Sequence, residues 1–193
     1  MSDTKNVLIV GVGGQGVITA SEILSEVAML EGYDVKKSEI HGMSQRGGSV
    51  SSHIRFNKEK VYSPTAPEGT IDFLMSFEKL EGLRWIDHLR QDAVAVINDY
   101  RWDPLPVSSG QVEYTPEVEK KIKERRKAII YKASDVASKL GNIRATNIVL
   151  VGTLAKLLPF KKETWIEVIK NRVPPKTIEL NIKAFEEGFK QEF

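Results

Sequence analysis

Residues 7–16 read VLIVGVGGQG, an aliphatic run that leads directly into a glycine-rich turn. The run predicts a buried strand, and apolar residues recur at helical spacing over residues 15–30. Gly11, Gly13 and Gly16 therefore have the spacing of a dinucleotide-binding turn between a strand and a helix. Glycines let the backbone approach a phosphate closely, and the free N–H groups at the start of a helix favour an anion. The stretch predicts an anion-binding turn.

A second glycine-rich segment follows the next predicted strand. Residues 35–40 form that strand, and residues 41–48 read HGMSQRGG. The Arg46 guanidinium suits a forked contact with phosphate or carboxylate, while Ser44 and Gln45 add a hydroxyl and an amide; an ordinary exposed arginine is the alternative. Because both turns follow strands, we expect them side by side at one edge of a parallel sheet, where they form a cradle for a phosphate or pyrophosphate.

The first turn also has two other interpretations. A tight strand–helix turn without a ligand would have the same glycine spacing. A nicotinamide or flavin site would use an acidic residue at the end of the second strand to bind ribose hydroxyls, and Glu39 lies near that position. However, Lys36 and Lys37 precede it, and the chain runs directly into residues 41–48, which is not the usual continuation. The pattern favours an anion cradle over a NAD site.

Composition excludes several classes of chemistry. The 193 residues include no cysteine, so this chain has no disulfide, no thiolate nucleophile and no cysteine-ligated zinc or iron–sulfur cluster. Its three histidines are too scattered to predict a metal site, and a net charge of +2 gives no global field for nucleic acid or membrane. Neither a targeting pattern nor a membrane-length apolar run is evident. We expect a cytoplasmic protein whose redox electrons are carried by a bound molecule or another subunit.

Strands alternate with helices over the first two thirds of the chain, which predicts a Rossmann-like, doubly wound α/β fold with a mainly parallel sheet. Residues 49–56 alternate as a strand, and residues 57–60 resemble a hairpin connection into Val61 and Tyr62, so part of the sheet is expected to be antiparallel. From Ser134 onward the pattern is helical. We expect residues 1–193 to form a single domain.

Several segments together resemble a known family over nearly the whole chain. They are the glycine turn at 11–16, residues 39–48, the following 50–55, and 142–147. These segments resemble the gamma-type subunit of 2-oxoacid:ferredoxin oxidoreductases, and the similarity is greatest to the small subunit of the indolepyruvate branch. The string at 41–48 is much more specific than the glycine turn.

The resemblance implies a small subunit that is inactive alone. Its complex would oxidatively decarboxylate a 2-oxoacid, with an indolepyruvate-like aryl pyruvate as the expected substrate, and pass the acyl group to coenzyme A and electrons to ferredoxin. A larger partner would hold thiamine diphosphate and the iron–sulfur clusters and select the 2-oxoacid. This chain is expected to supply a partner interface and a site for the phosphate-bearing part of coenzyme A, but no catalytic or metal-binding residue. The expected site residues are Gly11, Gly13, Gly14, Gln15, Gly16, Thr19, Ser44, Gln45, Arg46, Gly47, Gly48 and Asn147.

The sequence leaves open two alternative functions, an independent enzyme and a non-catalytic scaffold. An independent NAD(P)-dependent dehydrogenase would need a proton relay, for which His41 is the evident candidate, although no adjacent carboxylate is expected to tune it. A scaffold module would leave the glycine turn empty. Among the site residues, Thr19 has packing as its alternative role, and Asn147 is first of all a predicted helix N-cap.

Overall fold

The computed structural model describes residues 4–42 and 47–192. Within these ranges a single sheet of 6 strands is flanked by helices. The strands are β1 (Lys5–Val12), β2 (Asp34–His41), β3 (Ser49–Asn57), β4 (Ile71–Ser76), β5 (Leu89–Asn98) and β6 (Lys127–Tyr131). The α-helices are α1 (Val17–Leu30), α2 (Lys79–Trp85), α3 (Leu105–Ser108), α4 (Val118–Arg125), α5 (Ala133–Lys139), α6 (Thr146–Ala155), α7 (Lys162–Arg172) and α8 (Ile178–Phe189). Short 3-10 turns lie at Ile86–His88, Ile143–Ala145 and Pro175–Thr177.

The sheet has the strand order β2-β3-β1-β4-β5-β6. β1 pairs in parallel with β4, β4 with β5, and β5 with β6. β3 lies between β2 and β1 and is antiparallel to both. The predicted α/β fold with a mainly parallel sheet, an antiparallel part and C-terminal helices is therefore confirmed.

The predicted position of the hairpin was wrong. Val61 and Tyr62 form no strand, and the chain instead reverses between β2 and β3, around the second glycine segment. Val61 leaves the sheet because its N–H is taken by the Asp34 side chain at 2.7 Å. Pro64, which has no N–H to donate to a ladder, follows three residues later.

The two faces of β1 build two cores. Val7 and Ile9 pack on the side of α1 and the C-terminal helices, whereas Leu8 and Val10 pack on the side of α2 and α4. β1 is thus buried on both faces, which is why its sequence is a continuous aliphatic run rather than an alternating one. The alternation predicted for β3 is also found, with Ile54 and other inward residues facing the first core.

The C-terminal helices α6 and α8 approach each other through glycines. A Cβ atom on Gly188 would overlap the Val149 carbonyl, and one on Gly152 would overlap the Phe185 carbonyl. This close packing holds α6 in place, and the first turn of α6 reaches the edge of the sheet where the glycine turn lies. Across residues 4–42 and 47–192, no helix has both the length and the apolar character required to traverse a lipid bilayer.

Candidate functional site at the carboxyl edge of the sheet

The two glycine turns are joined directly. The Gly13 N–H of the first turn donates to the Gly48 carbonyl of the second at 2.8 Å. Within the second segment, the Gly42 N–H donates to the Ser49 carbonyl at 3.3 Å. The predicted adjacency of the turns is therefore confirmed. Of the predicted site residues, Ser44, Gln45 and Arg46 lie outside the described residues. Gly47 is described, is exposed and has a φ of 79°.

Gln15 holds the first turn in shape. Its side-chain oxygen accepts the Val12 N–H at 2.7 Å, and its own N–H donates to the Val12 carbonyl at 3.1 Å. Gly11 is buried beneath the turn, where a Cβ atom would lie 2.8 Å from the Gln15 Oε1 and 2.9 Å from the Phe77 Cβ. These residues shape the turn, and the Gln15 Nε2 has no hydrogen-bond partner among the described residues.

The turn leaves a group of donors unpaired. Gly14 and Gly16 have φ angles of 99° and 93°, a left-handed conformation that favours glycine. Ala20 makes the first backbone hydrogen bond of α1, to the Gly16 carbonyl. In the described part of the chain, the preceding N–H groups have no acceptor; they are those of Gly14, Gly16, Val17, Ile18 and Thr19. Unpaired N–H groups at the start of a 14-residue helix attract anions.

A cleft of about 740 Å³ opens on the β2 side of this turn, and we call it the His41 cleft. Its side chains are aliphatic apart from Thr19 and His41, and none of the described lining residues is acidic. The lining is Val12, Gly13, Gly14, Gly16, Val17, Ile18 and Thr19 on one side and His41, Gly42 and Val50 on the other. Free N–H donors and the absence of carboxylates from this described lining make the cleft suitable for an anionic group.

A second cleft, of about 500 Å³, opens on the β4–β6 side of the same turn, and we call it the Trp102 cleft. It shares Gly14 and Gly16 with the His41 cleft, and its described lining also contains no acidic residue. The rest of its lining comes from the turn, from the ends of β4, β5 and β6 with the segments after them, and from the 3-10 turn and first residues of α6. These residues are Gln15; Phe77, Asn98, Tyr100, Trp102 and Ser134; and Ile143, Arg144, Thr146 and Asn147.

The structure therefore divides the predicted site residues between the clefts. Thr19 lines the His41 cleft, whereas Asn147 lines the Trp102 cleft and packs against Gly16. Asn147 is not the N-cap that its position predicted, because a 3-10 turn precedes α6 and the helix begins one residue earlier, at Thr146. Its side-chain oxygen accepts the N–H of Ile148 at 2.9 Å instead.

Glu39 lies near the end of β2 and is held by its neighbours. Its carboxylate accepts hydrogen bonds from Lys37 at 2.8 Å and from Ser21 at 3.1 Å. Partial burial alone would raise the pKa of Glu39, but the hydrogen bond and charge of Lys37 outweigh it, so the pKa is lowered. His41 Nε2 lies 3.9 Å from the second Glu39 oxygen, so a carboxylate does stand beside this histidine, contrary to the prediction. A carboxylate engaged in this way is a poor partner for ribose hydroxyls.

The sequence profile of the pyruvate ferredoxin/flavodoxin oxidoreductase family matches residues 6–191. The chain belongs to this family. It is 43% identical to the indolepyruvate oxidoreductase subunit IorB of Thermococcus kodakarensis over 191 residues, which cover 96% of this chain and 94% of the relative. This similarity puts the chain in the indolepyruvate branch, as a subunit of a multi-subunit oxidoreductase.

Two solved structures of this family have the same fold. The gamma subunit of a keto/oxoacid ferredoxin oxidoreductase from Geobacter sulfurreducens matches with a TM-score of 0.73, 24% identity and 96% coverage of both chains. A 2-oxoglutarate:ferredoxin oxidoreductase chain from Magnetococcus marinus matches with a TM-score of 0.78 and 19% identity, covering 98% of this chain and 31% of that one. The fold thus occurs both as a separate subunit and as part of a longer chain.

Sequence reasoning missed most of the Trp102 cleft. Trp102 was not among the predicted site residues, yet it is 42% exposed at the cleft. Arg144 was not among them either, and its side chain lines the cleft without a partner among the described residues. Asn98 and Ser134 could have been found from one signal, because polar residues at or shortly after the ends of parallel strands gather at the carboxyl edge of a sheet.

Proposed function

We propose that this chain is the small subunit of an indolepyruvate-type 2-oxoacid:ferredoxin oxidoreductase, and that its His41 cleft binds the phosphate-bearing part of coenzyme A. The observation that supports this proposal is the pair of hydrogen-bonded glycine turns beside a row of backbone N–H groups that have no acceptor among the described residues. The complex would convert an aryl 2-oxoacid to its acyl-coenzyme A, and the name of the related indolepyruvate oxidoreductase subunits supports the aryl 2-oxoacid as substrate. The related Magnetococcus marinus structure, which contains coenzyme A and succinyl-CoA, supports the choice of ligand.

The cleft has the properties that a phosphate ester requires. Backbone N–H groups at Gly14, Gly16 and the first turn of α1 can each donate to a phosphate oxygen without first breaking a hydrogen bond in the described structure. Thr19 adds a hydroxyl at the same edge. The positive end of the α1 dipole favours negative charge. The aliphatic walls, which include Val50 and Ile18, suit the less polar part of a long ligand.

The remaining chemistry belongs to a partner in this proposal. Thiamine diphosphate supplies the carbanion chemistry of 2-oxoacid decarboxylation, and iron–sulfur clusters are generally held by cysteine thiolates. This chain has no cysteine, and its described residues contain no cluster of histidine and carboxylate side chains suited to a metal ion. We therefore place both groups on the large subunit. This chain binds and orients the acyl acceptor.

A matched pair of substitutions on α1 tests the ligand site. Ile18 is 40% exposed and lines the His41 cleft, whereas Met29 is 55% exposed at the far end of the same helix. Ile18→Glu puts a carboxylate where a phosphate should bind and should raise the Kd for coenzyme A by at least about tenfold. Met29→Glu adds the same charge away from the cleft and should leave the Kd unchanged.

The measurement is calorimetric titration of coenzyme A into the assembled complex, together with the KM for coenzyme A and the kcat. Arg46→Ala is the second site variant, with Lys176→Gln as its exposed control. A selective rise in Kd and KM for the two site variants would support the proposal. Equal affinities for Ile18→Glu, Met29→Glu and the unaltered complex would refute coenzyme A binding in this cleft.

A further inference from the structure

The Trp102 cleft has features that the proposed phosphate site does not use. It lies at the carboxyl ends of β1, β4, β5 and β6. Here the strand order switches sides, because β2 and β3 lie on one side of β1 and β4 to β6 lie on the other. In doubly wound sheets, ligands bind at such a switch. The volume of about 500 Å³ is within the usual range for a small-molecule pocket.

One wall of the cleft is aromatic and fixed in position. The Trp102 and Tyr100 rings have centroids 6.4 Å apart, and Trp102 remains 42% exposed. The backbone N–H of Trp102 donates to the Glu78 carboxylate at 3.3 Å, and the Tyr114 hydroxyl donates to the same carboxylate oxygen at 3.1 Å. Glu78 is 1% exposed. The segment that carries Trp102 is thus anchored to a buried carboxylate, and Trp102 still offers exposed surface to a ligand.

Another part of the lining presents oriented donors. Asn98, which is 1% exposed, donates from Nδ2 to the Ser134 hydroxyl oxygen at 2.9 Å and accepts the Ser134 N–H at 3.3 Å. The Ser134 hydroxyl therefore accepts from Asn98, and its own proton has no acceptor in the described part of the chain. It is available to a ligand that brings an acceptor.

The mouth of the cleft carries an unpaired cation. Arg144 is exposed, and its side chain forms no hydrogen bond or ion pair with any residue in 4–42 or 47–192. Its backbone is held by the Asn142 side chain, which accepts the Arg144 N–H at 3.0 Å. In the same protein, Arg84, Arg90, Arg101, Arg125 and Arg172 all pair with carboxylates. An unpaired guanidinium on an anchored backbone, beside a cleft whose described lining has no acid, is suited to a ligand's anionic group.

We propose that the Trp102 cleft binds a planar aromatic ring that carries an anionic group. The ring lies against Trp102 and Tyr100, and the anion lies at Arg144, with the Ser134 hydroxyl as a further donor. Such a ligand has two sources, the adenine nucleotide end of a cofactor or an aryl 2-oxoacid. The proposal stands apart from the phosphate site, because neither Trp102 nor Arg144 lines the His41 cleft.

The experiment titrates two probes into the full chain by calorimetry, adenosine 3′,5′-bisphosphate for the nucleotide and indole-3-lactate for the aryl acid. We expect Trp102→Ala and Arg144→Gln each to weaken binding of the same probe by about tenfold. Trp102→Phe keeps a stacking ring and should retain affinity to within about threefold. Tyr62→Ala, at a ring that is 85% exposed elsewhere, and Lys176→Gln are the matched controls. Thermal melts confirm that each variant is folded.

The outcomes separate the two proposals. Binding of either probe that depends on both Trp102 and Arg144 supports the cleft and identifies the source of the ring. No binding of either probe at millimolar concentration, or binding that Arg144→Gln does not weaken, overturns it. Loss of binding when the large subunit is added also overturns it, since that face would then be a subunit interface. Ile18→Glu reports on the phosphate site alone, so either site can fail while the other stands.

Discussion

The contact between α6 and α8 yields a prediction in which two effects have opposite signs. Gly188→Ala should gain about 1 kcal/mol of helix propensity. Against this, the new Cβ atom would overlap the backbone carbonyl of Val149, and a backbone atom cannot turn away as a flexible side chain can. Overpacking of this kind costs about 1–3 kcal/mol. Separating the helices would also weaken the 2.9 Å hydrogen bond from the Thr153 hydroxyl to the Gly188 carbonyl, at a cost of about 1 kcal/mol.

Because the overlap is with backbone, we take the upper part of the overpacking range and expect a net loss of about 2–3 kcal/mol of unfolding free energy. For a chain of this length, that lowers the Tm by about 4–12 °C. The assays are a thermal melt and urea unfolding. Gly42→Ala is the control, because its Cβ would lie 3.8 Å from its nearest neighbour among the described residues, the Ser49 carbonyl oxygen. A Gly188→Ala protein as stable as the unaltered chain, or more stable, would refute the packing argument.

Three further substitutions test the turn, the pH dependence and the anchored segment. Gln15→Glu keeps an acceptor for the Val12 N–H but adds a negative charge to the cradle, so coenzyme A titration should show about tenfold weaker binding with little change in Tm. The lowered pKa of Glu39 stabilises the fold at neutral pH, and this contribution disappears as the pH falls through the folded-state value; Glu39→Gln should flatten urea-measured stability against pH below 4.5. Tyr114→Phe removes a hydrogen bond to the buried Glu78 carboxylate and should cost about 1–3 kcal/mol by urea unfolding.

The sequence predicted the parts of the fold that depend on local patterns. The aliphatic run before Gly11, the helical spacing after Gly16 and the alternation over residues 49–56 each produced the element expected. The hairpin was placed wrongly because residues 57–60 have ordinary turn composition, whereas the interaction that removes Val61 from the sheet is a hydrogen bond to Asp34, 27 residues away in the chain. A long-range hydrogen bond of this kind leaves no local signal.

At the candidate site too, features with a local sequence signal were predicted and features set by long-range contacts were missed. The adjacency of the two glycine turns followed from the rule that parallel strands end at one edge, and the Gly13–Gly48 hydrogen bond agrees with it. The split of Thr19 and Asn147 between separate clefts did not follow, since both were grouped by family resemblance rather than by position. The aromatic wall was missed because Trp102 depends on a carboxylate, Glu78, that lies 24 residues earlier and is buried.

The presence of a cleft on each side of one glycine turn follows from the strand order. In a simple doubly wound sheet β2 would lie directly beside β1, about 5 Å away. Here the antiparallel β3 lies between them, so the end of β2 stands about 10 Å from the turn after β1. At this edge the Gly13 N–H donates to the Gly48 carbonyl, just before β3 begins, and the His41 cleft lies between the turn and the end of β2. On the other side of the turn, the strand order continues from β1 to β4, so later strands lie on the opposite side of β1 from β2 and β3. The Trp102 cleft opens at this switch. A single turn can thus present donors to two ligand groups at once, and Gly14 and Gly16 must remain glycine for both.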